Sequence, residues 1–364
     1  LSFRFYNGEV SNCSTGMFLG EDSGIRNYDD IKYPIALDLN SALFGEYWIE
    51  HEIKLQKDIE EFRSLSESEK YGYKMQTGAL NWLDSLATDF NFWLTSVITD
   101  SAWRSVFALI NSFEVLHNRS YQYLSSSVLN DKDKKQAFED VKNIPQMVAR
   151  NMHIIEPLQE MVEVLKRYNA NEYLKDEFKV SDKELKQAIF KGIVNYQVLE
   201  GIYFSGGFVY FHALARTNRM IGSNSLISMI REDENQHSVI YGTTLQILMS
   251  EFPELNTKEN HDYAISVFKQ AVNLEMDWSK YILQDVDIIS LKEYNDYIEY
   301  LANLIMRNSG MKDIYPNNTE LKSKWINTYG AKHRPKSDGI ATREDFLQTS
   351  SITYQHSGGE DFDL

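Results

Sequence analysis

Glu114-Val115-Leu116-His117 and Glu234-Asn235-Gln236-His237 repeat one pattern, a carboxylate three residues before an imidazole. Each copy lies inside a long segment whose apolar residues recur at helical spacing. No other histidine of the chain's 8 has an acidic residue at that offset. On an α-helix, positions i and i+3 share a face, so each copy offers one carboxylate oxygen and one ring nitrogen to the same point in space. Two such helices supply two half-sites, and two further helices with one inward carboxylate each would complete a dinuclear metal centre.

Working outward, the spacing predicts helices almost throughout. The capping box Ser66-Glu67-Ser68-Glu69 opens one that runs to about Ile98, with Asp84 in its middle. A second, from about Ser101 to Leu129, carries Glu114, His117 and Tyr121 on one face. The helical region that follows contains Pro145 and Pro157, which are expected to kink or break it. Ser181-Asp182-Lys183-Glu184 caps a long helix to about Arg216, holding Glu200 near its centre. The next, from about Ser223 to Glu251, holds Asp233, Glu234 and His237, and two more are expected over 259–283 and 290–308. No strand alternation is convincing. From Gly310 onward the pattern weakens, and Ser357-Gly358-Gly359-Glu360-Asp361-Phe362-Asp363-Leu364 reads as an acidic tail with an apolar tip. The expected organisation is an N-terminal extension (1–30), an all-α, ferritin-like helical bundle with a buried dinuclear metal site (31–310), and a flexible C-terminal tail (311–364).

Composition narrows the function. With 364 residues and 43% hydrophobic content the chain can bury a large core. A formal charge of −16 repels phosphate backbones and anionic lipid, so neither nucleic acid nor a membrane surface is an expected partner. One cysteine, Cys13, excludes internal disulfides and thiolate zinc clusters, which fits a cytoplasmic protein. No apolar run approaches a membrane span, and Leu1-Ser2-Phe3-Arg4 does not read as a signal peptide.

Asp84, Glu114, His117, Glu200, Glu234 and His237 all fall at interior positions of apolar helices. Four ionised carboxylates around one buried point would repel one another and lose their hydration. Two divalent cations cancel that charge. A set rich in oxygen with some nitrogen suits iron or manganese, and six ligands exceed the usual tetrahedral shell of zinc. The remaining histidines, His51, His153, His212, His261, His333 and His356, read as surface or core residues.

Leu83-Asp84-Ser85, Phe113-Glu114-Val115-Leu116-His117-Asn118-Arg119-Ser120-Tyr121, Glu200-Gly201-Ile202-Tyr203-Phe204 and Asp233-Glu234-Asn235-Gln236-His237 together resemble, in order and spacing, the small, radical-carrying subunit of class I ribonucleotide reductase. The likeness runs from about residue 17 to 310, and Trp325-Ile326-Asn327-Thr328 extends it. What the resemblance implies is a metal pair, two iron ions with manganese as the other candidate, that reacts with O2 and oxidises a tyrosine. The radical so formed initiates nucleotide reduction in a separate large subunit. Tyr121 matches the radical tyrosine, Trp48 the tryptophan near the metals, and Asp233 its carboxylate partner. Tyr354 is the best candidate for a carrier at the subunit junction. The C-terminal tail is then the segment that docks on the large subunit, and the small subunit is expected as a homodimer. Phe204 and Phe208, at i+4 and i+8 from Glu200, should line the pocket of Tyr121 and keep water from it. Where many relatives have Arg before the Asp-Glu pair, this chain has Glu232, with Arg231 one step back. The glycines of Ser205-Gly206-Gly207, costly inside a helix, point to a local distortion or to close helix contact. Two other readings use the same ligands: a hydroxylase- or desaturase-type oxidase with an organic substrate, and a ferritin-like iron-binding or structural bundle.

Overall fold

The computed structural model describes residues 6–12, 15–29 and 31–330. Cys13, Tyr354, His333, His356 and the acidic tail therefore lie outside the described residues. The helices are α1 (Ile35–Gly45), α2 (Gln56–Ser64), α3 (Glu67–Thr95), α4 (Ser101–Val128), α5 (Asp131–Asp140), α6 (Pro145–Asn169), α7 (Asp182–Val198), α8 (Ser205–Arg216), α9 (Ile221–Glu251), α10 (Lys258–Ile282), α11 (Leu291–Asn308) and α12 (Trp325–Gly330). A π-helical turn, Leu199–Phe204, joins α7 to α8. Among the described residues no strand forms; the single bridge pairs Phe18 with Ile98. Among the described residues no helix is long and apolar enough to cross a membrane.

Helix starts follow local capping chemistry where it exists. Ser66 Oγ accepts the Glu69 N–H while Glu69 Oε2 accepts the Ser66 N–H. Asp100 caps α4 through the N–H groups of Ala102 and Trp103. The helix α9 begins two residues before the expected Ser223 because its cap is tertiary. Asp58, on α2 and buried, accepts from the Gly222 and Ser223 N–H groups, and Glu61 accepts from that of Met220. No local pattern could show that.

Pro145 occupies the first position of α6, where its missing N–H costs nothing. The expected break at Pro157 does not occur; α6 continues to Asn169. An interior proline forfeits one backbone hydrogen bond, and here the burial of Ile154, Leu158 and Met161 on the same helix holds the turn regardless. Beyond Gly310 the chain stays packed as far as Gly330. Buried Asn303 binds the Ile314 and Tyr315 N–H groups and donates to the carbonyls of Tyr315 and Asn318. Trp325 donates to Glu293 and lies under the Arg216 guanidinium at 4.6 Å.

Candidate metal centre

Helices α3, α4 and α9 and the π-helical turn converge on one buried point. Asp84 comes from α3, Glu114 and His117 from α4, Glu200 from the π turn, and Glu234 and His237 from α9, all at most 1% exposed. Their ligand atoms fall into two groups within 4.8 Å: Asp84, Glu114, His117 and Glu234, then Glu114, Glu200, Glu234 and His237. Glu114 and Glu234 belong to both, so two cations held there would share these two carboxylates. His117 Nδ1 lies 2.8 Å from Glu234 Oε1 and 3.4 Å from Asp84 Oδ1. His237 Nδ1 lies 2.9 Å from Glu234 Oε2 and 3.2 Å from Glu114 Oε1. The six residues expected as ligands are thus brought together.

The donors fit metal ions on a direct test. Both oxygens of Asp84, Glu114 and Glu200, together with Glu234 Oε1, are buried and make no hydrogen bond of normal geometry, their near neighbours being each other and the two imidazoles. Orphaned carboxylate oxygens at that density are too costly without a cation. Burial, then the Glu234 and Glu114 charges, holds Asp84 and Glu200 well above the usual carboxylate range against the pull of the imidazoles. Burial would lower the pKa of His117 and His237, but Glu234 and the other carboxylates outweigh it and raise both. Glu234 itself, pushed up by burial, is pulled below its ordinary value by His117 and His237.

Those directions set a pH dependence. Asp84, Glu200, His117 and His237 hold protons more tightly folded than unfolded. Their contribution is complete below the unfolded values and fades as pH rises through the folded ones. Glu234 acts oppositely, its contribution fading only in acid. Metal ions need these ligands deprotonated and so bind better as pH rises. The expected result is that the Tm gap between metal-loaded and metal-free protein widens from about pH 6 to about pH 8. Calorimetry of both forms checks it, and a gap that narrows would contradict the assignment.

Tyr121 is fully buried, and its hydroxyl makes no hydrogen bond of normal geometry. Burial and then the charges of Asp84, Glu234 and Glu114 keep its pKa well above the ordinary phenol value. The rings of Phe204 and Phe208, both buried, stack at 6.0 Å. On the other side of His117, Asp233 Oδ2 accepts the Trp48 indole N–H at 2.7 Å and sits 3.1 Å from His117 Nε2. The Trp48 and His117 rings lie 6.2 Å apart and nearly parallel. Trp48, Asp233 and a metal-facing imidazole therefore form one unbroken line. Arg231 turns away from it and donates to Asn327 Oδ1, tying α9 to the segment leading into the tail.

Sequence reading missed two features around the centre. One is a polar layer on the His237 side: Tyr241 donates to buried Asn91, Asn91 donates to Tyr196, and the two tyrosine rings lie 4.5 Å apart. The signal was present, since Tyr241 follows His237 by four residues as Tyr121 follows His117. The other is the buried Arg150–Glu275 ion pair, whose partners are 125 residues apart and carry no mutual pattern.

Comparison with known proteins agrees with this geometry. The family model "Ribonucleotide reductase, small chain" matches residues 25–322. A ribonucleoside-diphosphate reductase subunit beta of Halalkalibacterium halodurans is 30% identical over 336 residues, 92% of each chain. One from Treponema pallidum is 27% identical over 98% of this chain and 95% of its own. The solved R2 subunit of ribonucleotide reductase from Clostridium botulinum superposes with a TM-score of 0.82 at 23% identity, covering 91% of this chain and 99% of that one, a likeness of fold. Two overlapping ligand groups on a helical bundle, and a family match across most of the chain, lead to one conclusion: this protein belongs to the ribonucleotide reductase small-chain family.

Proposed function

We propose that this chain is the radical-providing small subunit of a ribonucleoside-diphosphate reductase, in which Tyr121 carries the radical and Trp48 and Asp233 pass the oxidising equivalent toward a large catalytic subunit. The observation that carries the reading is the line Trp48–Asp233–His117, which links a metal-facing imidazole to an indole through one carboxylate oxygen. An oxidase acting on an organic substrate at the metals would have no use for it, nor would an iron store.

A metal pair held by Asp84, Glu114, His117, Glu200, Glu234 and His237 supplies an O2-derived one-electron oxidant; iron is proposed, on the oxygen-rich six-ligand set together with Tyr121. Tyr121 lies one turn beyond His117, roughly 6 Å along the axis. Its full burial isolates a phenoxyl from solvent and external donors that would quench it. Asp233 holds the indole N–H of Trp48 and accepts its proton when the indole is oxidised. Phe204 and Phe208, both buried, are proposed to line the Tyr121 pocket and keep water from it. Tyr354 is proposed as the last carrier before the large subunit, and the acidic tail as the segment that docks there. The chain is proposed to act as a homodimer.

The test is anaerobic loading of the metal-free protein with ferrous ion, exposure to O2, and low-temperature electron paramagnetic resonance, followed by a reductase assay with the large subunit and a ribonucleoside diphosphate. A tyrosyl signal and turnover support the reading; metal binding and O2 uptake with neither would move the chain to the oxidase class. The Trp48→Phe variant is expected to form the same persistent signal as wild type yet fall to background turnover. Normal turnover in that variant would remove Trp48 from the path.

A further inference from the structure

Glu200 is the one ligand that does not sit on a regular α-helix. It lies in the π-helical turn Leu199–Phe204, an insertion that widens the helix by one residue and is uncommon outside functional sites. A wide turn has poorer packing along its own axis than an α-helical turn, so something outside must fix it. The surroundings of Tyr203, three residues beyond Glu200, supply the fixture. Arg150, on α6 and 1% exposed, donates from Nη2 to the Tyr203 carbonyl at 2.7 Å. Its guanidinium stacks on the Tyr203 ring at 4.2 Å. His153, one turn along α6, has Nδ1 3.1 Å from the Tyr203 hydroxyl, and burial pushes its pKa down to about 4, so the imidazole is neutral. Carbonyl, ring and hydroxyl of one residue in the wide turn are all held by α6.

Arg150 is itself held. Its Nε donates to Glu275 Oε2 on α10, and Tyr294 on α11 donates to the other oxygen, Oε1. Glu275 is fully buried; burial raises its pKa, and Arg150 and Tyr294 draw it back. The backbone just past the turn is shaped to this carboxylate. A Cβ on Gly206 would collide with Glu275 Oε1 and sit 2.8 Å from the Tyr294 hydroxyl, and one on Gly207 would sit 2.7 Å from Leu80 Cδ2 on α3. Here is the reason for the paired glycines inside a helix.

Stability alone does not account for a fully buried ion pair. Desolvating both charges costs several kcal/mol per ion, and replacing such a pair with apolar residues of similar volume is often neutral or stabilising by about 1–4 kcal/mol. Geometry accounts for it better, because a planar guanidinium can grip a carboxylate and a carbonyl together in one fixed orientation.

We propose that Arg150, oriented by Glu275 and Tyr294, is a positioning residue for the metal centre: it clamps the wide turn at Tyr203 and so sets where Glu200 presents its carboxylate. The consequence is specific to one half-site. Glu200 belongs with His237 and not with the Asp84–His117 group. Loosening the clamp weakens one metal position and spares the other. The inference rests on the dinuclear reading of the site but not on radical chemistry.

The experiment compares wild type with Arg150→Met/Glu275→Leu, which removes both charges together, and with Arg150→Lys, which keeps the charge but not the fork. Anaerobic Mn(II) titration of the full chain followed by electron paramagnetic resonance reads the two positions, and hydrogen exchange of the metal-free protein reads the turn. The expected result for the double variant is a cooperative melting transition as in wild type and amide exchange faster at least tenfold over 199–206. Mn(II) affinity at the Glu200–His237 position should fall about 10–100-fold, the scale seen when a ligand loses its support, with the Asp84–His117 position within about threefold of wild type. Arg150→Lys should fall between the two. Wild-type affinity at both positions, or an equal loss at both, overturns the clamp. Failure of the wild type to bind two Mn(II) overturns the dinuclear reading first and the clamp with it.

Discussion

Tyr121→Phe is expected to abolish the persistent radical and to lower turnover with the large subunit by at least ~10³-fold, equivalent to about 4 kcal/mol of lost barrier reduction, while leaving metal content unchanged. Tyr121 contributes no atom to either ligand group, so the six donors keep their positions without its hydroxyl. Removal of that hydroxyl costs the fold little, because it is buried beside the Asp84, Glu234 and Glu114 carboxylates and makes no hydrogen bond of normal geometry. The metal-free variant should therefore melt close to the wild-type temperature, which separates loss of chemistry from loss of structure. Two measurements decide the matter: the paramagnetic signal after aerobic iron loading, and the melting temperature of the metal-free chain. A persistent tyrosyl signal in the variant would move the radical elsewhere, with Tyr241 the first place to look, since it stands to His237 as Tyr121 does to His117. Metal content that falls with the hydroxyl would make Tyr121 part of the ligand support instead.

Most of this centre was legible because its chemistry is local in sequence. Glu114 with His117 and Glu234 with His237 share helix faces by spacing alone, and the capping box at Ser66 sets the helix that carries Asp84. Asp84 and Glu200 were legible for a different reason, as charges in the middle of apolar helices. What sequence could not give was anything made by two distant segments. The cap of α9 is Asp58 on another helix, and the support of Glu200 is an arginine 50 residues earlier paired with a glutamate 75 residues later. The continuous helix expected over 181–216 is interrupted at 199–204, because a π turn has no composition of its own. Its trace in sequence was the glycine pair after it, which marks close approach without saying to what. Of the kink or break expected at Pro157, the break does not occur, for the converse reason: a local propensity met tertiary burial along α6.

Substitutions at the ligands should separate into two classes, because the carboxylates are not equivalent. Glu234 places one oxygen 2.8 Å from His117 Nδ1 and the other 2.9 Å from His237 Nδ1, and so serves both positions. Asp84 serves only one. Glu234→Gln removes the charge shared by both ligand groups and leaves one donor oxygen where there were two, and is expected to leave less than one metal bound per chain under conditions that fill the wild type. Asp84→Asn leaves Glu114, Glu200, Glu234 and His237 intact, and is expected to keep one metal and lose the other. Folding survives both changes. In Glu234→Gln the imidazoles lose one of the carboxylates that raise their pKa but keep others, Asp84, Glu114 and Asp233 for His117 and Glu114 and Glu200 for His237, so no uncompensated charge is stranded. Asn at 84 removes a carboxylate that burial and its neighbours already disfavour as an anion. Equilibrium dialysis against Mn(II) with metal analysis distinguishes the cases. Equal losses in the two variants would mean that the metals bind only as a pair, and two metals retained in Glu234→Gln would remove Glu234 as the bridge.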